Sequence, residues 1–389
     1  MALWYISSET CYNNSMKILY VITSTHTGGA EKALLSLVSQ TVKKNTVKVV
    51  CLKPLGPVAE ELIRFGMEVV SLSMTGMIPF GVVRKLEREI KSFQPDLVHA
   101  MLYRGIQFAR LSCAGKGINL ISSPHFDLSK RNFFCRFIDK MLKNIDTLTV
   151  AESFSTARYL VKQQRYNQNK VFLLPNGADK SVFFRDDTLR EKMRRQYHYQ
   201  PENTVFISVA RLAPEKNPIT ILQAFRNVYR VSPQARLVYV GEGIERGKLE
   251  DFIRRSGLNE AVLLAGEQPH INAWLNLADV FMLSSIEESL PLSLLEALQV
   301  GLPCIVSNVG DMPLWVKHGK NGFVVNSGDI SLLSCFMTEL LSPKKRKDME
   351  DASVLISQQI TDTPLQYQHL YQQVYLNSFH VKTDKLKQE

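Results

Sequence analysis

The feature that most restricts this chain is a rhythm. Short apolar, β-branched runs are each followed by a stretch with helical spacing, and the whole series occurs twice. In the first half the runs cover 17–24, 47–53, 68–72, 97–101, 119–123, 147–151 and 171–174, with helical stretches such as 30–40 and 82–92 between them. They are continuously apolar rather than alternating, which suits strands of a parallel sheet covered on both faces. Such strand–helix–strand units build doubly wound α/β sheets. The rhythm breaks at the charged stretch 186–203, read as a surface helix and linker ending in the turn signal Pro201-Glu202-Asn203. It resumes at 205–210, 237–241, 262–265, 280–284, 304–307 and 323–325. The expected fold class is therefore α/β, with two doubly wound Rossmann-like domains. Their expected limits are 16–185 and 186–361, with a terminal helix at 362–380 and a polar, disordered extension at 1–15 ahead of Met16-Lys17. A chain of 389 residues lets each half bury its own core. In such sheets ligands sit beyond the carboxyl ends of the strands, so chemistry is sought there.

Several function classes are set aside first. No stretch approaches the roughly 18 uninterrupted apolar residues that span a bilayer; the richest, 290–306, is broken by Glu296, Gln299 and Pro303. The six cysteines are scattered, with no metal-ligand or CxxC spacing, which points to a reducing cytosol and to no metal site. Residues 1–15 lack the basic start and apolar centre of a secretory signal. The net charge of +10 implies anionic partners, whether nucleic acid, phosphorylated substrate or acidic membrane. No nucleic-acid module is recognisable and the charge is dispersed, which disfavours the first.

The most informative segment runs from Ser284 through Glu288, Ser289, Leu290, Pro291 and Leu292 to Glu296 and Leu298, directly after a strand. Pro291 suits the first turn of a helix. The free N–H groups there, with the helix dipole, favour an anion. Glu288 precedes that start, and Glu296 lies inside a run that is apolar on nearly every side. A carboxylate so placed needs a partner. That partner is either a structural cation or the hydroxyls of a ligand whose phosphate sits at the helix mouth, as in a nucleotide sugar.

The Glu288–Glu296 pair, with seven residues between, resembles the EX7E motif of the family 4 glycosyltransferases (glycosyl transferases group 1), and its setting SSIEESLPLSLLEALQVGLPCIVSNVGDMP resembles that family's strongest signature. Ser289-Leu290 stands where members often carry Gly-Phe. The resemblance implies that Glu296 binds the nucleotide ribose and Glu288 lies at the transferred sugar. Ala210-Arg211-Leu212-Ala213-Pro214-Glu215-Lys216-Asn217 resembles the family segment whose Arg and Lys hold the donor diphosphate; two fixed cations there would neutralise the leaving group. Thr25-His26-Thr27-Gly28-Gly29-Ala30-Glu31 resembles the amino-terminal loop that faces the donor phosphate, with Gly28 and Gly29 as the contacts and His26 a weaker candidate. His125, closing the fifth strand in Ser123-Pro124-His125-Phe126-Asp127, matches a histidine near the donor sugar and acceptor; Asp127 is a weaker candidate. Pro175-Asn176-Gly177-Ala178-Asp179 resembles the turn that closes the first domain. Gly241-Glu242-Gly243 resembles the donor loop, and the stretch from His318 to Val325 a further family segment. Asp311 and Leu314 stand where many members carry Gly and Glu. The stretch from Tyr367 to Tyr375 resembles the helix that crosses back onto the first domain.

The resemblance covers roughly 17–375. It implies the GT-B architecture and a retaining glycosyltransferase. Such an enzyme moves a sugar from a nucleoside-diphosphate donor to a glycan or lipid-linked acceptor, without cofactor or metal, in polysaccharide or lipopolysaccharide synthesis. A sugar-nucleotide epimerase and a catalytically silent binding partner are the alternatives; the two glutamates with Arg211 and Lys216 argue against both. The positive charge has one concentrated stretch, 129–143, in which basic residues interleave with Phe133, Phe134, Phe137, Ile138, Met141 and Leu142 at helical spacing. It is read either as an ordinary helix packing its apolar face on the sheet or as a basic surface for anionic lipid, which would place a cytoplasmic protein peripherally on the inner membrane.

Overall fold

A computed structural model describes residues 15–26, 28–74, 80–125 and 131–376. The expected extension (1–14 of it), Asp127, Ser129 and Lys130 of the basic stretch, and 377–380 of the terminal helix lie outside the described residues.

Contacts divide the chain into two compact units, 1–175 with 363–389, and 176–362. The first unit holds seven strands: β1 (Lys17–Ile22), β2 (Thr46–Cys51), β3 (Glu68–Ser71), β4 (Leu97–Met101), β5 (Asn119–Ser123), β6 (Leu148–Ala151) and β7 (Val171–Leu173). The second holds six: β8 (Val205–Val209), β9 (Arg236–Val240), β10 (Val262–Leu264), β11 (Val280–Leu283), β12 (Cys304–Ser307) and β13 (Gly322–Val325). The sheet orders are β3-β2-β1-β4-β5-β6-β7 and β10-β9-β8-β11-β12-β13, and neighbouring strands run parallel. Each is the doubly wound sheet expected. Every expected strand is found, within two residues at either end, because continuous apolar runs have no stable place except between two helical layers.

The strands show why. In β1, Tyr20 and Ile22 enter one core cluster while Leu19 and Val21 enter another, the two faces of one sheet. In the second unit, Ile207 and Phe281 go to one face and Phe206, Val280 and Met282 to the other.

In each sheet the order reverses once, between β1 and β4 and between β8 and β11. The carboxyl ends of those strands are where such a fold opens a crevice.

Two boundaries differ from expectation. The units divide at 175/176 rather than 185/186, because 176–185 are held by the second unit. Asn176 Nδ2 donates to Leu290 O at 2.9 Å, Phe183 packs on that unit's core, and Asp186 N–H donates to Asn276 Oδ1 at 2.8 Å. The stretch 186–203 is likewise no linker. Its helix, Asp187–Gln196, is anchored by Arg190 and Arg194, which pair with the buried Asp279 at 2.5 and 3.2 Å. The terminal helix, Thr363–Tyr375, belongs to the first unit. Tyr367, Leu370, Tyr371 and Val374 enter its core, and Tyr371 OH meets His99 Nδ1 at 2.6 Å. His99 Nε2 lies 2.8 Å from Ser123 Oγ, which is 2.9 Å from Tyr367 OH. Burial drives the His99 pKa down to about 3, with a smaller contribution from His125, so this network is held by a neutral ring.

Candidate functional site

In the second unit the site grows from the two strands at the order reversal. After β8 the chain runs through Ala210 and Arg211 into a single tight turn, Pro214–Lys216, and Asn217 then takes the left-handed conformation (φ 49°) to start the helix Pro218–Val231. After β11 it runs through Ser284 and Ser285 to Glu288, Leu290 and Pro291, then into the helix Leu292–Val300.

The two loops are stitched together. Ser284 Oγ donates to Asn217 O at 2.7 Å, and Ile286 N–H donates to Glu215 O at 2.8 Å. Ser307 Oγ, from the end of β12, donates to Ser285 O at 2.6 Å. The result of this stitching is an ion pair between Lys216 Nζ and Glu288 Oε1, residues 72 apart in sequence. Both side chains are largely but not fully covered, at 18% and 12% exposed, and Ser285 Oγ donates to the same Glu288 oxygen at 3.5 Å. The pair can therefore be reached by a ligand while being screened little by bulk water.

Glu288 is held from behind by a glycine. Gly310 has φ +56°, and a Cβ on it would overlap Glu288 O and Ser289 O. Asp311 N–H donates to Ser289 O at 2.7 Å, which fixes the turn against the Glu288 loop.

The other expected residues take varied places. Arg211 projects outward, 60% exposed, and pairs with Glu215 at 2.7 Å. Gly241, at φ +138°, lies against the Ala210 carbonyl, which a Cβ would overlap, so it fixes how closely the β9 end approaches Arg211. Leu290 is buried at 4% exposure. Pro291 is the residue that caps the helix rather than one inside its first turn, and Leu292 is the first helical residue. No side chain caps the helix start, and Leu294 N–H turns back to Pro291 O at 3.2 Å, which leaves the N–H groups of Leu292 and Ser293 facing outward from the first turn. Glu296 differs from the buried carboxylate expected. The helix buries Leu294, Leu295, Ala297, Leu298 and Val300, while Leu292, Ser293, Glu296 and Gln299 form a partly exposed stripe at helical spacing. The carboxylate thus sits on the open side of the helix. Asp311 is buried and Leu314 is 40% exposed on the short helix Met312–Trp315.

In the first unit, Gly28 precedes and Gly29 begins the helix Gly29–Thr41, after β1. Gly28 has extended backbone (φ −167°) with the Glu31 carboxylate folded back against it, where a Cβ would overlap Glu31 Oε2, while a Cβ on Gly29 would meet nothing within 4 Å. His26 is exposed.

His125, after β5, has φ 49°, a strained state for a residue with a side chain. Glu152, at the end of β6, holds it there: its Oε1 accepts the His125 N–H at 3.0 Å and lies 3.5 Å from His125 Nε2, within ion-pair range but without hydrogen-bond geometry. Burial pushes the Glu152 carboxyl above the usual range, opposed by His125. Sequence reasoning missed Glu152. The available signal was an acidic residue closing an apolar strand one place along the sheet from His125.

Among the described residues no group of three His, Cys, Asp or Glu side chains is placed to hold a metal ion, and no helix is long and apolar enough to cross a membrane.

Comparison with known proteins adds to this geometry. The family model described as Glycosyl transferases group 1 matches residues 190–353, and that described as Glycosyltransferase Family 4 matches 27–182. The chain is 32% identical to the UDP-Gal:alpha-D-GlcNAc-diphosphoundecaprenol alpha-1,3-galactosyltransferase of Escherichia coli, over 44% of this chain and 45% of that protein. It is 27% identical to the N-acetyl-alpha-D-glucosaminyl L-malate synthase of Bacillus anthracis, over 44% of each. The match thus spans under half the length of these two relatives. HepE of Anabaena, solved in complex with UDP-glucose, has a TM-score of 0.81 at 21% identity, covering 93% of this chain and 100% of that one. At that identity the likeness shows the fold, which is GT-B.

Proposed function

The chain belongs to the family 4 glycosyltransferases, and from that premise we propose that it transfers a sugar, with retention of anomeric configuration, from a nucleoside-diphosphate donor to a hydroxyl of a lipid-linked or other glycan acceptor. The observation that carries this reading is the Lys216–Glu288 pair at the carboxyl ends of β8 and β11. It sets a cation and a carboxylate side by side at the crevice of the second unit, ahead of a helix start with uncapped N–H groups. A diphosphate needs the first and third of these, and sugar hydroxyls need the second.

The roles follow from chemistry. Lys216 and the helix start at Leu292 hold the diphosphate, and Arg211 turns from Glu215 to join them. As the bond from the anomeric carbon to the phosphate oxygen breaks, negative charge gathers on the leaving diphosphate, and these fixed positive groups stabilise it in place of a divalent metal. Glu288 orients the transferred sugar, and Glu296, on the open stripe of its helix, accepts hydrogen bonds from the ribose. Gly241 shapes the donor loop beside Arg211. In the first unit, Gly28 and Gly29 meet an anion with their backbone, the Glu31 carboxylate swinging off Gly28 to admit it, and His125 serves the reacting sugar and its acceptor. The E. coli relative acts on a diphosphoundecaprenol-linked sugar; a similar acceptor here would place the protein on the cytoplasmic face of the membrane, in cell-surface polysaccharide or lipopolysaccharide synthesis.

The test is incubation of the protein with a panel of nucleotide sugars and membrane extract, with products read by mass spectrometry. Transfer or donor hydrolysis that disappears in Lys216→Ala, with the protein still folded by circular dichroism, is the expected result. Full activity in that variant would overturn the site as assigned.

A further inference from the structure

The helix Phe133–Leu142 is built inside out. Its stripe of large apolar side chains faces solvent: Phe133 is 77% exposed, Phe134 61%, Phe137 51% and Met141 65%. No other helix among the described residues carries more than two exposed large apolar side chains. The side it turns inward carries Asp139, 3% exposed. Asp139 Oδ1 accepts from Arg110 Nη1 at 2.8 Å and from Gln107 Nε2 at 3.0 Å, and its Oδ2 accepts from Tyr166 OH at 2.7 Å. Arg110 also donates to both oxygens of Asp146 at 2.8 and 2.6 Å. Rolling the helix over would pull Asp139 away from Arg110, Gln107 and Tyr166, stripping one of the two carboxylates from a buried cation. The outward stripe is therefore fixed by the chain rather than incidental.

The charges around the stripe say what covers it. The only carboxylates in 131–146 are Asp139 and Asp146, and both are consumed inside by Arg110. Arg131 and Lys140 are exposed, and Arg136 is partly so. The outer face is thus aromatic, apolar and wholly cationic. A second copy of the same face would bring like charges together. A bilayer with acidic headgroups meets both needs, taking rings at the headgroup boundary and cations at the phosphates.

We propose that the Phe133–Leu142 helix is a membrane-docking surface for anionic lipid, with Phe133, Phe137 and Met141 inserted, Arg131 and Lys140 at the headgroups, and the Arg110–Asp139–Asp146 network holding the stripe outward. This does not depend on the transferase reading, and its test needs no substrate. Purified protein is sedimented with vesicles of phosphatidylcholine alone and of phosphatidylcholine with phosphatidylglycerol. Binding to the mixed vesicles, weakened by salt, is expected. It should fall about tenfold for each large side chain removed in Phe133→Ser, Phe137→Ser and their combination with Met141→Ser. These residues are exposed, so the variants keep the wild-type unfolding temperature. In a Phe137→Trp variant, the added fluorescence shifts to the blue on mixed vesicles and is quenched by brominated acyl chains. Binding unchanged in the triple variant, equal binding to neutral vesicles, or a dimer in solution that the triple variant abolishes would each overturn the proposal.

Discussion

Gly310→Ala tests the way the fold positions Glu288. Two effects add. The residue sits at φ +56°, where a side chain costs about 1–2 kcal/mol. The new Cβ would also overlap Glu288 O and Ser289 O, which are backbone atoms and cannot swing aside. Forcing such a group into a packed site costs a further ~1–3 kcal/mol. Gly319 supplies the control. It has φ +75°, yet a Cβ there meets nothing within 4 Å, so Gly319→Ala carries the first cost alone. The difference between the two variants isolates the collision. Trp274 and Trp315 both report on the second unit and are buried, so thermal unfolding followed by tryptophan fluorescence reads the right region. A loss of about 3 kcal/mol lowers the midpoint of a unit of this size by roughly 6–12 °C, and Gly319→Ala should lower it by about half as much. Relief of the overlap must move the Glu288 loop, so transfer activity below the melting temperature should fall in Gly310→Ala and persist in Gly319→Ala. Equal destabilisation in the two variants, or wild-type activity in a folded Gly310→Ala protein, would refute the reasoning.

Other outcomes follow from the same structure. Lys216→Ala and Glu288→Gln should each lower turnover by ~10²–10³ while leaving the fold intact, and the double variant should be little worse than either, since paired groups act as a unit; steady-state kinetics of the three variants check this. The first unit should lose stability in mild acid. Burial lowers the His99 pKa from 6.5 to about 3, so below 6.5 the unfolded chain takes up a proton that the folded one refuses. The stability His99 contributes is complete above its unfolded pKa and falls as pH drops toward the folded one, by at most about 1.4 kcal/mol per pH unit. Urea midpoints between about pH 7 and pH 5 should show this slope in the wild type, and His99→Gln should flatten it. Arg110→Ala leaves Asp139 and Asp146 buried without their cation and should cost the first unit about 3–5 kcal/mol in urea unfolding.

How far the sequence could be read depends on whether a property is local. Strands were legible because a run such as 280–284 has to be buried on both faces wherever it lies. The glutamate and lysine motifs were legible because spacing is itself a sequence property. The Lys216–Glu288 pairing was not, since it depends on β8 and β11 being neighbours, a fact of sheet order. Glu296 departs from its expected place for a related reason. Counting apolar neighbours along the chain predicts a buried carboxylate, whereas the open stripe comprises Leu292, Ser293, Glu296 and Gln299, one of which is itself apolar. Glu152 escapes notice because its partner, His125, lies 27 residues away, in the loop after the neighbouring strand.

The Phe133–Leu142 helix shows the limit most sharply. Periodicity establishes that an apolar stripe exists and where its residues fall, but a helix has the same period whether the stripe faces core or solvent. The usual choice, apolar side inward, holds where the hydrophobic effect outweighs every competing force. Here it competes with the cost of taking Asp139, the one carboxylate on this helix, away from the buried Arg110 and leaving Asp146 as its sole carboxylate. Arg110 is 1% exposed on a neighbouring helix, and Asp139 and Asp146 are the carboxylates it pairs with. Stripping a partner from a buried charge costs about 3–5 kcal/mol, more than the roughly 1.5–3 kcal/mol gained by covering one large apolar side chain. Several such side chains would outweigh it, so the inverted orientation makes energetic sense once the stripe finds cover elsewhere. The exposed rings and the buried ion pair are for that reason one observation, and whatever covers the rings completes the packing of this helix.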